Sequence, residues 1–250
     1  MFSLEGKRAL ITGAGRGLGQ AIAAAFAKQG AMVAISDLHG EDLENTKQIV
    51  NQFSAKCLPL HLDVCDARQR EEGVKLVCES FGGIDILVNN AGINIPLAGL
   101  EATEESWDKI FSINVKGGFF LAQLAAPGMI KNGWGRIIFI SSQSGIVAIP
   151  GQPVYCSSKA AVLLAARTLG VEWAKHGITV NCIAPTFIKT ALTEKRLNNP
   201  DFLNNELGKI PGRKLAEVED VAHAAVFLAS EEAKMVNCHT LCVDGGRTVW

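Results

Sequence analysis

The segment from Arg8 to Gly30 constrains this chain more than any other. Arg8-Ala-Leu-Ile-Thr12 is a short apolar run with the length of a buried strand. Gly13-Ala-Gly15-Arg-Gly17-Leu-Gly19 follows at once, and Ile22, Ala25 and Phe26 then recur at helical spacing until Gln29-Gly30. Strand, glycine turn and helix in that order form a cradle for a pyrophosphate. Glycines let the backbone approach the ligand, and the helix N-terminus offers free N–H groups and the positive end of a dipole. A second apolar run, Ala31 to Ser36, ends in Asp37, eighteen residues beyond Gly19. An acid at about that distance accepts hydrogen bonds from an adenosine ribose.

Strand-like and helix-like segments alternate along the rest of the chain, which predicts an α/β fold: a doubly wound parallel sheet, Rossmann-like, of about seven strands with helices on both faces. The expected strands are 7–12, 32–37, 57–62, 84–89, 135–141, 178–184 and 240–243. The expected helices are 18–29, 41–53, 67–81, 104–130, 154–175 and 218–229, with a shorter piece within 191–208. Residues 1–250 read as one domain, since no linker, repeat or low-complexity segment interrupts them. The irregular stretch at 186–212 follows a strand end and reads as a substrate lid.

The formal net charge of −1 and the scattered basic residues point away from nucleic acid and from a membrane surface. No apolar run approaches the ~20 residues that span a bilayer, and Phe2-Ser-Leu-Glu5 does not resemble a signal peptide, so the expected location is the cytoplasm. Seven cysteines without a C-x-x-C pair are expected to be reduced and structural. Cys57, Cys182 and Cys242 are placed in strands as small hydrophobes, and no metal site is expected.

Tyr155, the one tyrosine, stands four residues before Lys159. Residues at i and i+4 share a helix face. A phenol ionises near pH ~10, and a neighbouring ammonium favours the phenolate. A drop of ~3 units would correspond to roughly 4 kcal/mol. The pair therefore reads as a proton-transfer device.

The glycines read T-G-x-x-x-G-x-G from Thr12 to Gly19. Together with Asn89-Asn90-Ala91-Gly92, Asn114, Ser142, Tyr155 and Lys159, they resemble the short-chain dehydrogenase/reductase family. The resemblance covers essentially the whole chain, through Val243-Asp244-Gly245-Gly246. It implies a nicotinamide cofactor, an alcohol or carbonyl substrate and, as in many relatives, a homotetramer using the helices at 104–130 and 154–175. It implies that Gly13, Arg16, Gly17, Leu18 and Gly19 hold the cofactor's phosphates. Asp63 and Val64 would border the adenine, Asn90 would lie beside the ribose and Gly92 close by. Ile188 and Thr190 would contact the carboxamide or a phosphate. Ser142 would bind the reacting oxygen, and Tyr155 would exchange its proton. Lys159 would lower the Tyr155 pKa and hold the nicotinamide ribose, and Asn114 would anchor the helix backbone and a water that positions Lys159. Capping of the helix at 67–81 is the alternative role for Asp63, and a plain helix-interior hydrogen bond is that for Asn114. Asp37 favours NAD over NADP because it would repel a 2′-phosphate, although Arg16 could reach one.

Two segments depart from the family pattern. Thr186 follows Pro185 where glycine is usual, and Asn237-Cys238-His239 replaces a stretch that commonly carries glycine. For the substrate, Asn94, Gln143, Ser144 and Gln152 offer a polar lining suited to a sugar, sugar acid or polyol. Asn199-Pro-Asp-Phe202 within 192–212 resembles the sugar-acid dehydrogenase branch. Ile146, Val147, Ile149 and Phe187 offer an apolar wall for an acyl or steroid-like substrate instead. The readings are thus an NAD-dependent alcohol dehydrogenase, a 3-oxoacyl thioester reductase using NADPH, or a nucleotide-sensing protein without chemistry.

Overall fold

A computed structural model describes residues 1–190 and 193–250, with Glu41 and Lys195 described in their backbone alone. Seven strands form one parallel sheet: β1 Arg8–Thr12, β2 Met32–Asp37, β3 Cys57–His61, β4 Ile86–Asn89, β5 Gly135–Ile140, β6 Ile178–Pro185 and β7 Thr240–Val243. Their spatial order is β3-β2-β1-β4-β5-β6-β7. β1 pairs with β2 on one side, Ala9 opposite Val33, and with β4 on the other, Ala9 opposite Ile86. The chain therefore leaves β1 and β4 toward opposite edges and opens a crevice at their carboxyl ends.

On one face lie α1 Gly17–Lys28, α2 Leu43–Asn51 and, late in the chain, a helix at Val218–Ala229. On the other lie α3 Ala67–Phe81, α5 Gly118–Asn132 and α6 Pro153–Trp173, with α4 Glu104–Phe111 leading into α5. Two apolar cores result. Ile11, Ile22, Phe26 and Val221 are fully enclosed in the first, and Leu10, Leu87, Leu121 and Val180 in the second. Each such side chain contributes about 1.5–3 kcal/mol. β5 and β6 are buried along their whole length, Arg136 and Asn181 included, as expected of parallel strands covered on both faces. The edge strand β7 is not: Cys242 is exposed there, against its assignment as an enclosed hydrophobe.

Local signals set the helix ends. Asp66 accepts from the Gln69 amide (3.1 Å) at the start of α3, and Gly82 stops it at φ +84°. Thr103 and Ser106 form a capping box at α4. The single helix expected at 104–130 is not single. Ser112–Gly117 is a π-helical stretch between α4 and α5, and α5 runs on to Asn132. The helix expected within 191–208 is two pieces, α7 Glu194–Leu197 and α8 Pro200–Gly208, and residues 191 and 192 of that span lie outside the described residues. The last helix is α9, Val218–Ala229. Cys238, within the segment where the family pattern commonly carries glycine, takes the left-handed φ of +58° that glycine favours. Among the described residues no helix is long and apolar enough to cross a membrane.

Candidate active site

The glycine turn closes onto the end of β4. Gly13 lies at φ +62°, and a Cβ there would sit 2.9 Å from Ala91 Cα. A Cβ on Gly19 would overlap the carbonyl oxygen of Gly13 and approach Asn90 Nδ2 to 2.6 Å. Asn90 fastens the turn, its side-chain amide donating to the Thr12 and Gly13 carbonyls, both at 2.9 Å. Its amide is therefore committed to the loop rather than free for a ribose. Arg16 is the N-cap of α1 but makes no side-chain cap, and the first turn holds no acid. The leading N–H groups of α1 thus face the cavity with their charge unneutralised. This suits a phosphate, so the residues present fit the pyrophosphate of a dinucleotide. Asp37 Oδ2 accepts from Gly15 N at 2.9 Å. Asp63 Oδ1 accepts from Cys65 N at 2.8 Å, and because Asp66 caps α3, Asp63 is not that helix's cap. Gly17, Leu18 and Val64 line the same hollow, and Thr190 approaches Gly17 from the lid side.

A cavity of about 780 Å3 runs from this turn to α6. There Tyr155 and Lys159 share one helix face, with Lys159 Nζ 5.7 Å from the Tyr155 ring centre. Lys159 is 5% exposed and donates to the Ile140 carbonyl at 2.9 Å. The Ser142 hydroxyl accepts from Ser144 N (3.1 Å) and lines the cavity beside Tyr155. Asn114, carried by the π-helical stretch, accepts from Ile93 N (2.8 Å) and donates to Ile93 O (2.9 Å) and Ser158 Oγ (3.1 Å). It ties the loop after β4 to α6 one residue from Lys159. Gly92 leaves room beside it: a Cβ there would lie 3.3 Å from Asn114 Oδ1 and 3.4 Å from Lys159 Nζ.

The expected electrostatics are reversed. Burial pushes the Tyr155 phenol up to about 12, against the opposing influence of the Ser142 hydroxyl, and burial pushes the Lys159 ammonium down to about 8. Loss of water outweighs an attraction acting over this separation. Lys159 therefore costs stability. Its ordinary value of 10.5 falls to about 8 on folding, so the unfolded chain binds more protons between those values. The cost is fully present below about 8 and is relieved as pH rises toward 10.5. It is on the order of 3 kcal/mol at neutral pH. Lys159→Met forfeits the bond to Ile140 (about 1 kcal/mol) but is expected to raise unfolding stability by roughly 1–2 kcal/mol near pH 7. Urea titrations near pH 7 and about pH 10 check this, because the gain should vanish at the higher pH.

Beyond Tyr155 the cavity is polar. Gln143 is 2% exposed and its Oε1 has no partner among the described residues. The buried Asn94 Oδ1 and Thr186 Oγ1 are likewise unpartnered. Gln152 Oε1 accepts from Asn94 Nδ2 at 2.7 Å and Arg196 Nη1 at 3.1 Å. Arg196 reaches in from α7, its guanidinium 4.5 Å from the Phe202 ring centre and 5.6 Å from that of Phe187. Ile188 is pinned by a bridge to Ala216 and by the Thr193 hydroxyl, which donates to its carbonyl.

The family model described as enoyl-(acyl carrier protein) reductase matches residues 13–248. The chain is a short-chain dehydrogenase/reductase. It is 39% identical over 246 residues to the 3-oxoacyl-(acyl-carrier-protein) reductase of Thermotoga maritima, covering 98% of this chain and 99% of that one. It is 35% identical over 249 residues to the gluconate 5-dehydrogenase of Gluconobacter oxydans, covering 100% and 97%. The crystal structure of a gluconate 5-dehydrogenase from Burkholderia cenocepacia, in complex with NADP and tartrate, superposes with a TM-score of 0.96 at 33% identity, over 100% and 98% of the two chains.

This short-chain dehydrogenase/reductase brings Ser142, Tyr155, Lys159, Gln143 and Gln152 to one cavity, with Asn114 just behind it. It does not assemble the apolar wall expected from Ile146, Val147, Ile149 and Phe187. Phe187 alone of the four lines the cavity, and Ile146 is exposed. Sequence reading missed Arg196. Its sole trace is a Glu-Lys-Arg run within an irregular stretch, which reads equally well as solvated surface.

Proposed function

We propose that this dehydrogenase/reductase interconverts a small polyhydroxylated secondary alcohol and its ketone, with NAD as cofactor. The observation that carries the reading is the convergence of Ser142, Tyr155 and Lys159 on the far end of a cavity that begins on the glycine turn, with Lys159 Nζ 5.7 Å from the Tyr155 ring centre. A bound nicotinamide supplies the two-electron chemistry. The Ser142 hydroxyl holds the reacting oxygen and Tyr155 Oη exchanges its proton. Tyr155 and Lys159 together hold two protons at low pH. Loss of the first, near pH 8, leaves a pair that is either neutral or phenolate with ammonium, two forms of equal proton count. Asn114 positions α6 through Ser158 and steadies the loop after β4. Segment 186–212 serves as the lid, its first part fastened at Ile188 and its helices carrying Arg196 over the substrate.

Asp37 supports NAD. It stands at the end of β2 with Oδ2 held by the Gly15 amide, where a 2′-phosphate would meet a fixed carboxylate. Two like charges ~4 Å apart repel by about 4 kcal/mol at an effective dielectric of ~20, before screening. Wild type is expected to favour NAD over NADP in kcat/KM, and Asp37→Ser to shrink that ratio by about 100-fold. A ratio unmoved by the substitution would remove Asp37 from cofactor choice. A screen of polyols, sugars and sugar acids with NAD tests the reaction itself, followed by the near-ultraviolet absorbance of the reduced cofactor. Similarity to a 3-oxoacyl thioester reductase gives a second reading, and a 3-oxoacyl thioester with NADPH belongs in the same screen. The amide side chains of Asn94, Gln143 and Gln152 that line the cavity count against it, because an acyl chain would give them nothing to bond. Exposed Trp107 on α4 and Leu164 and Val171 on α6 support a homo-oligomer.

A further inference from the structure

We propose that Arg196 anchors a carboxylate, so that the substrate is a sugar acid rather than an uncharged polyol. This rests on the oxidoreductase reading and narrows it. A guanidinium carries five donors in a planar fork. One of them goes to Gln152 Oε1, and among the described residues Arg196 enters no ion pair. The acids that line the cavity, Asp37 and Asp63, follow β2 and β3 at the nucleotide end. The Phe187 and Phe202 rings, edge to face at 5.5 Å, hold the guanidinium plane in place. The other cation at this end, Lys159, is committed to the Ile140 carbonyl. An oriented, unneutralised fork in a half-closed cavity calls for a planar anion, and a carboxylate matches it with two parallel bonds.

The surrounding polar atoms define the rest of the ligand. Asn94 Oδ1 and Gln143 Oε1 are acceptors with no donor, and Thr186 Oγ1 is a buried hydroxyl with no partner. The side chains that carry them, with Gln152, line the cavity, so a ligand seated there is surrounded by amide and hydroxyl groups and pairs with them best through hydroxyls of its own. One carboxylate plus several hydroxyls describes an aldonic acid. A phosphate dianion fits less well, because a single fork would leave part of its charge uncompensated.

The test compares gluconate, its uncharged polyol glucitol and a sugar phosphate as substrates with NAD, in wild type, Arg196→Gln and Arg196→Lys. Binding of tartrate to each protein is measured in parallel by calorimetry, without turnover. Wild type should prefer gluconate. Arg196→Gln should lower the gluconate-to-glucitol ratio of kcat/KM by about 30- to 100-fold, chiefly through KM. Arg196→Lys should recover part of it, since it restores charge but not the fork. Tartrate affinity should fall in the same order. Equal losses on gluconate and glucitol, a wild-type preference for glucitol or the sugar phosphate, or tartrate affinity unchanged in Arg196→Gln would each overturn the anchor. Glucitol turnover without carboxylate preference refutes the anchor and leaves the alcohol oxidoreductase standing. Arg196-dependent tartrate binding with no alcohol turned over refutes the reaction and keeps the anchor.

Discussion

Tyr155→Phe is expected to lower turnover by about 10²–10⁴-fold, with nucleotide binding nearly unchanged. Phenylalanine keeps the ring at the mouth of α6 and deletes a single oxygen. Ser142 retains its bond from the Ser144 amide, so the local turn survives. The glycine turn and Asp37 stand at the other end of the cavity and lose nothing. Steady-state rates and NADH fluorescence titration, on the same preparation, separate the two effects. Retention of more than about a tenth of the wild-type rate would dismiss Tyr155 as the acid/base. Wild-type alcohol oxidation should also rise with pH and level off above about 8, where the pair with Lys159 gives up its first proton.

Gly19→Ala should weaken dinucleotide binding by about 100-fold or more and destabilise the fold by about 1–3 kcal/mol. The added methyl would meet the Gly13 carbonyl, Asn90 Nδ2 at 2.6 Å and Ala14 Cα at 2.9 Å. Two of these are backbone, and the third is held by its own bonds to the turn, so none yields cheaply. The turn must open, and with it the seat for the phosphates at the start of α1. Gly128→Ala is the matched control, because a Cβ there meets nothing within 4 Å. On the exposed side of α5 it should stabilise by about 0.5–1 kcal/mol. Wild-type affinity in Gly19→Ala, measured by the same titration, would show that close packing at this turn is dispensable.

The strands were legible because many of them are compact, largely apolar runs bounded by turn residues. β2 and β7 fall where expected, and β4 starts at Ile86 rather than 84. α3 was legible at both ends because a capping aspartate and a left-handed glycine mark it. The break between α4 and α5 was not. Phe111 and Gly117 keep helical dihedrals, so no capping residue announces the change of winding. The shared helix face of Tyr155 and Lys159 was legible from their spacing, but spacing says nothing of how much water each loses, and that loss decides the direction of both shifts. Arg196 escaped because its partners, Gln152, Phe187 and Phe202, come from three separate segments. The orphaned oxygens of Gln143 and Thr186 are a property of the cavity and have no signature in the chain.

The π-helical stretch at Ser112–Gly117 makes the register of the chain itself a functional quantity. A regular helix advances about 100° per residue. Inserting or deleting one residue in the regular winding after this stretch would swing all that follows by that angle. Leu121, Ala122 and Met129 would then leave the sheet, or Asn114 would leave Ile93. The stretch holds the one extra residue that a π-helical turn accommodates, and this lets a single rod serve two differently oriented surfaces.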